Sequence, residues 1–198
     1  MGLHIRPELS KEYLRQSARA AVDALGFQKM LLLSEAIERK LENLKEFRDS
    51  NVIATYVARA DEVQTRQIIH DALARGKKVL VPLTLPKENR LLFSELRGMS
   101  ELASGHFGIL EPRPDFVRPI PLVEADVILV PVVAWDERGY RIGHGRGYFD
   151  MALAPLRGNL TIGLAFEAQR VDRVPEERHD IPLGMVVTES RILRLRDS

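Results

Sequence analysis

The chain has 198 residues, with 29 Lys+Arg against 28 Asp+Glu, five His and no Cys, for a formal net charge of +1. That length suits one domain, with at most a small appended subdomain, and can bury a sizeable core. The balanced charge argues against a basic nucleic-acid coat, and the lack of cysteine excludes disulfides, Cys-ligated zinc, iron–sulfur clusters and a thiol nucleophile. Residues Met1 to Pro7 carry no signal-peptide core, and Gly2 lacks the hydroxyl residue of a myristoylation pattern. The apolar run Val127 to Ala134 is too short to span a bilayer. A cytoplasmic protein with no membrane or nucleic-acid partner is expected.

Ser10 predicts a cap on a helix from Lys11 to Leu25, stopped by Gly26, with Leu14, Ala18, Ala21, Val22 and Leu25 at helical spacing. A second helix is predicted over Gln28 to Phe47, with Leu33, Ile37, Leu41 and Leu44 on one face. Val52 to Val57 reads as a strand, and a helix follows from Asp61 to Ala74, ending at Gly76. Short strands follow at Val79 to Leu83 and Leu91 to Phe93, and Gly105 to Pro121, rich in Pro and Gly, reads as a wrapped connection. Asp126 to Val133 is the clearest core strand. Beyond the turn Asp136 to Gly139 come a glycine-rich loop, Arg141 to Gly147, and a helix from Tyr148 to Leu156. Thr161 to Phe166 and Met185 to Thr188 are further buried strands, and Ile192 to Leu195 an edge strand. Alternating strands and helices predict a three-layer α/β/α sandwich with a mostly parallel or mixed central sheet. Ligands in such folds bind beyond the strand carboxyl ends, which singles out the loops after Val57, Val81 and Val133.

The strongest local signal is Arg141-Ile-Gly-His-Gly-Arg-Gly-Tyr-Phe-Asp150. Alternating glycines before a helix let backbone N–H groups approach an anion, and Arg141 and Arg146 add fixed positive charge. Asp150 can hold a magnesium ion that offsets phosphate charge. The segment lacks the Walker and dinucleotide spacings, and a purely structural tight turn is the competing reading. Lys11 and Arg15 share one helix face, either as an anion clamp or as a solvated basic face. Glu62 and Thr65 open the predicted helix after the first strand, where an acid serves a heterocycle's donors or merely the helix dipole. His179-Asp180 reads as a turn before Pro182 or as a carboxylate for a metal site. His144 sits in the glycine loop without a sequence partner for base catalysis. His4, His70 and His106 lack zinc spacing, and Trp135 suits a core or pocket wall.

Together these segments resemble the 5-formyltetrahydrofolate cyclo-ligase family, also called 5,10-methenyltetrahydrofolate synthetase. The resemblance runs through Lys11-Glu-Tyr-Leu-Arg15, then Glu62 and Thr65, then Gly108-Ile-Leu-Glu-Pro112. It continues through Val127 to Asp150 and closes with Ile162-Gly-Leu-Ala165, His179-Asp-Ile-Pro182 and Val187-Thr-Glu189. Three positions depart from the family pattern: Val132 replaces a glycine, Phe149 a tyrosine and Met151 an arginine.

The resemblance implies one cyclo-ligase-like domain over residues 1–198, with an architecture similar to phosphosugar isomerases and CoA-transferases. It implies ATP as co-substrate, Mg2+ as metal and a reduced folate as substrate, in a monomer or weak homodimer. By that likeness, Lys11, Arg15, Arg141, Gly143, His144, Gly145, Arg146, Gly147, Tyr148 and Phe149 would hold the nucleotide. Val57, Glu62, His144, Gly145 and Tyr148 would hold the folate, Arg141 and Tyr148 would act in catalysis, and Asp150 and Asp180 would bind metal. Asp150→Asn is expected to leave thermal stability unchanged or raised, since it removes a carboxylate assumed to be unpaired. A paralogue that binds nucleotide or folate without turnover is the alternative, and an isomerase or transferase of similar architecture is a third reading.

Overall fold

The computed structural model describes residues 10–156 and 158–195. Helices α1 (Lys11–Asp23), α2 (Phe27–Asn43) and α3 (Lys45–Asp49) precede β1 (Val52–Ala54), α4 (Arg66–Ala74) and β2 (Lys78–Leu85). Strand β3 (Arg90–Leu96) leads to a hairpin of β4 (Leu102–Ser104) and β5 (Leu110–Pro112), then to β6 (Val127–Pro131). The remainder is β7 (Ala134–Trp135), β8 (Arg141–Ile142), α5 (Tyr148–Leu153), β9 (Leu160–Leu164), β10 (Met185–Val187) and β11 (Ile192–Arg194).

The central sheet has seven strands in the order β11-β10-β9-β6-β1-β2-β3. Its five inner strands run parallel, and β3 and β11 close the two edges antiparallel. Parallel strands covered on both faces must be apolar on both faces, and side chains alternate between them. Thus Ile53, Val79, Val81, Val127, Leu129, Ile162, Met185 and Val187 join one core with Ile37, Leu41, Phe47, Ile68 and Ile69 from α2, α3 and α4. Their neighbours Ala54, Leu80, Ile128, Val130 and Val186 join a second core with Leu153 of α5 and Leu122. This is the expected mostly parallel, helix-flanked α/β architecture. A third cluster packs Leu14 and Ala18 of α1 against Ala134, Ile142 and Val174.

From β1 the chain moves outward to β2 on one side, whereas β6 pairs with β1 on the other and leads on to β9 and β10. The topological switch point therefore lies between β1 and β6, where open parallel sheets leave a crevice at their carboxyl ends.

Several element boundaries differ from the sequence expectations. The second predicted helix breaks at Leu44, whose backbone is extended (φ −68°, ψ 127°). Leu41, Leu44 and Phe47 are all buried, so their spacing reads alike with or without the break. The helix expected from Asp61 begins only at Arg66. Thr65 instead uses its hydroxyl inside the preceding loop, donating to the Tyr56 carbonyl (2.8 Å) and accepting from Ala58 N (3.1 Å). Glu62 is thus a loop residue, and the helix-dipole reading of it falls. The first strand ends at Ala54, α5 ends at Leu153, and Arg141 belongs to β8. The wrapped connection contains β5, which pairs as a hairpin with β4 just before it and is anchored by buried Glu111, accepting from Thr84 N (3.0 Å) and His106 N (3.2 Å). Trp135 is wholly buried and donates to the Phe166 carbonyl (3.2 Å), the core reading of that residue.

Candidate active site

Two cavities of about 240 and 250 Å³ share the glycine loop and Arg141 as a common wall. The first opens at the switch point. Tyr56 and Val57 follow β1, Pro82 and Thr84 lie in β2, and Pro131 ends β6; all five line it. Leu91, Phe107, Ile109, Tyr148 and Phe149 make its remaining apolar wall, with buried Glu62 and Arg19 on the polar side. The second cavity is charged. Lys11, Arg15 and Arg141 face Asp150, Glu177 and Asp180 across it.

A tightly bonded loop presents Glu62. The Tyr56 hydroxyl donates to the Val63 carbonyl (2.9 Å), and the Gln64 amide donates to the carbonyls of Arg59 and Glu62. Burial pushes the Tyr56 phenol well above its ordinary pKa, so it remains a donor. Glu62 Oε2 accepts from Arg59 N (2.8 Å), and Oε1 lies 2.7 Å from His144 Nε2.

The loop between β8 and α5 requires glycine at two places. Gly145 has φ +101° and Gly147 has φ +67°, a region L side chains rarely adopt. Arg15 packs against this loop, its Nε donating to the Gly143 carbonyl at 2.9 Å. Arg146 points the other way and stacks on the Phe107 ring, 4.3 Å from its centroid. The turn leading into β8 is fastened by wholly buried Asp136, which accepts from Arg138 N (2.9 Å) and Val174 N (2.9 Å).

Each cation of the charged cavity already has an oxygen partner. Lys11 Nζ lies 2.7 Å from Asp180 Oδ2 and 3.6 Å from Glu177. Arg141 NH1 lies 2.8 Å from Asp150 Oδ1, which also accepts from Ile181 N (3.3 Å). Among the described residues, Asp150 Oδ2 and Asp180 Oδ1 make no hydrogen bond, leaving one oxygen of each carboxylate for a hard cation. Arg141 is almost fully buried, and its Nε has no partner. Phosphate oxygens for Lys11 and Arg141, and a divalent cation for the two aspartates, would exchange these partners without stranding a charge.

The model of the 5-formyltetrahydrofolate cyclo-ligase family matches residues 7–189. The chain belongs to this family. It is accordingly an enzyme of the cyclo-ligase class. It is similar to the 5-formyltetrahydrofolate cyclo-ligase of Escherichia coli K12, 34% identical over 146 residues, covering 72% of this chain and 80% of the relative. The solved structure of Aquifex aeolicus 5,10-methenyltetrahydrofolate synthetase superposes with a TM-score of 0.83 at 32% identity, covering 95% and 94% of the two chains. A Mycoplasma pneumoniae 5,10-methenyltetrahydrofolate synthetase shares the fold, with a TM-score of 0.73 at 20% identity and coverage of 91% and 99%.

Within this cyclo-ligase family member, the three departures from the family pattern fall in different places. Val132 is buried in the core, where its methyl would stand 3.2 Å from a side chain at Gly163, and it does not wall either cavity. Phe149 does wall the apolar cavity, edge-on to Phe93 with centroids 6.3 Å apart. Met151 is exposed. The structure also corrects the stability expectation for Asp150, whose carboxylate is paired with buried Arg141. Arg19, Phe107 and Glu177 also reach the cavities and were not singled out from sequence. A signal existed for Arg19, which continues the spacing of four set by Lys11 and Arg15.

Among the described residues, no helix is long and apolar enough to cross a membrane.

Proposed function

We propose that this chain converts 5-formyltetrahydrofolate and ATP to 5,10-methenyltetrahydrofolate, ADP and phosphate. The observation that carries this reading is the pair of cavities meeting at one glycine loop. One is apolar with a buried carboxylate, and the other is lined by matched cations and aspartates. That arrangement suits a two-substrate phosphoryl transfer, in which acceptor and donor are held in line and away from water.

The chemistry balances without a protein nucleophile. The formyl oxygen attacks the γ-phosphorus as the bond to the ADP oxygen breaks. The neighbouring ring-chain nitrogen then attacks the activated formyl carbon and loses its proton to solvent. Phosphate departs with the former formyl oxygen, leaving the methenyl bridge. Lys11, Arg15 and Arg141 would stabilise charge on the phosphates, with N–H groups of the Gly143–Gly147 loop, His144 and Arg146 included, alongside them. Asp150 and Asp180 would hold magnesium, whose chemistry when bound is to offset phosphate charge. Glu62 would accept the pterin's N–H donors, with Val57, Gly145, Tyr148 and Phe149 around the folate and nucleotide. Residues 1–198 would act as one domain in the cytoplasm, as a monomer or weak homodimer.

The test mixes protein, Mg-ATP and 5-formyltetrahydrofolate and follows methenyl-folate absorbance with ADP. The two products should rise together, and 10-formyltetrahydrofolate should not replace the 5-formyl compound. ATP turnover indifferent to folate would favour the binding paralogue. Of the three departures from the family pattern, only Phe149 walls a cavity and bears on that alternative.

A further inference from the structure

Lys11, Arg15 and Arg19 recur every fourth residue on α1, yet they do not serve the same cavity. Lys11 and Arg15 wall the charged one, whereas Arg19 walls the apolar one. There Arg19 NH2 lies 3.3 Å from His144 Nδ1, and His144 Nε2 lies 2.7 Å from Glu62 Oε1. The imidazole thus sits between a guanidinium and a carboxylate.

This order fixes the imidazole's hydrogen. A guanidinium has donors only and does not deprotonate, so Nδ1 must accept from Arg19. The ring hydrogen then belongs on Nε2, where it donates to Glu62. In the opposite tautomer, N–H would face N–H on one side and a lone pair would face a carboxylate on the other. His144 needs this outside hold because its loop neighbours are glycines 143 and 145, which supply no side chain to orient the ring.

We propose that Arg19 is a positioning residue for substrate recognition. By fixing His144 as the Nε2–H tautomer, it keeps Glu62 oriented as an acceptor for the N–H groups of the bound heterocycle. With Oε1 engaged by His144 and Oε2 by Arg59 N, the carboxylate is held in one plane and each oxygen keeps a lone pair free. The identity of the heterocycle rests on the folate reading above; the coupling of Arg19 to Glu62 does not.

A role confined to stabilising the fold fits Arg19 poorly. Its Nε is buried without a partner among the described residues, and an unpaired buried donor lowers stability. Arg19→Met keeps an unbranched apolar stem while removing that donor, so melting temperature should hold or rise. Arg19→Lys keeps a donor for Nδ1.

The experiment compares full-length wild type with these two variants. Long-range proton–nitrogen NMR of the free protein under mildly alkaline conditions, with His144 assigned through His144→Gln, reads the tautomer. Wild type should show hydrogen on Nε2, the Met variant a mixture, and the Lys variant a return toward wild type. In steady-state assays the Met variant should raise KM for 5-formyltetrahydrofolate about fivefold, as for one ordinary hydrogen bond. KM for ATP and kcat should change less than about twofold, as for a contact equal in ground and transition states. The Nδ1–H tautomer in wild type, or a Met variant with unchanged tautomer or unchanged folate KM, overturns the proposal. So does a lower melting temperature with both KM values rising together. A wild type that ignores folate would sink the folate reading and the recognition role with it, and the tautomer measurement would still decide the Arg19–His144–Glu62 coupling.

Discussion

The two cavities share a wall but handle charge in opposite ways. In the charged cavity, Lys11 and Arg141 each lie within 2.8 Å of an aspartate oxygen, so positive and negative groups alternate. In the apolar cavity, buried Glu62 has a backbone N–H and an imidazole for partners, while the other carboxylates on its wall, Glu111 and Asp150, are held by Thr84 N and Arg141. The first arrangement can exchange ion pairs for a polyanion and a cation. The second offers Glu62 to a neutral, hydrogen-bonding heterocycle, which brings no further charge to bury. A site that joins the two has to keep their ligands independent in binding and coupled only in reaction.

The largest expected effect tests that independence. Arg15→Ala should weaken ATP use by about 1.5–3 kcal/mol, the range for a charged hydrogen bond, and leave folate KM alone. Glu62→Gln should do the reverse, by a similar margin, because Gln replaces one acceptor oxygen with donors. Full substrate titrations of both variants check the pair. Losses spread equally over both substrates in either variant would mean that the cavities act as one.

A smaller effect belongs to Asp150, which borders both cavities. Asp150→Asn should cut turnover by at least about tenfold, or about 1.4 kcal/mol, and raise the magnesium needed for half-activity. It should also lower the melting temperature of the free protein, because buried Arg141 loses its ionised partner at 2.8 Å. Matching magnesium curves would take Asp150 out of the metal role. An unchanged melting curve would show that the pair with Arg141 contributes nothing to stability.

What the sequence revealed of this arrangement follows the range of each interaction. Strands β6, β9 and β10 were legible because a strand covered on both faces must be apolar on both, whatever packs against it. The glycine loop was legible because its backbone requires glycine locally at Gly145 and Gly147. Positions Lys11, Arg15, Glu62, Asp150 and Asp180 stood out through motif order, and the structure brings all of them to the two cavities. What could not be read was pairing between distant segments. Lys11 and Asp180 are 169 residues apart in the chain, and His144 and Glu62 are 82 apart. Residues 61–65 read as the start of a helix because an acid such as Glu62 suits a first turn, and only the Tyr56 carbonyl shows that the Thr65 hydroxyl is used inside a loop.

The smallest expected effect uses a charge cluster outside both cavities as the contrast. Ligand oxygens of Glu38 and Glu42 on α2 and Asp71 on α4 lie within 4.8 Å of one another, so like charges meet where the charged cavity alternates them. Burial, followed by repulsion from Glu42, Asp71 and Glu35, raises the Glu38 carboxyl from 4.5 to about 7, with Arg39 opposing weakly. Between those values the folded chain keeps a proton that the unfolded chain has released. That contribution to stability is complete below the unfolded pKa and is lost as pH rises through the folded one. Glu38→Gln should therefore raise the melting temperature above pH 7 and change it little near pH 4.5. Glu38 is only half-buried, so solvent screening keeps the gain below about 1 kcal/mol, or roughly 1–3 °C in a chain of this size. Folate and ATP KM values should not move, since Glu38 walls neither cavity. Melting curves of both proteins across this pH range check the prediction; equal gains at acid and alkaline pH would show that Glu38 acts through packing and not through charge.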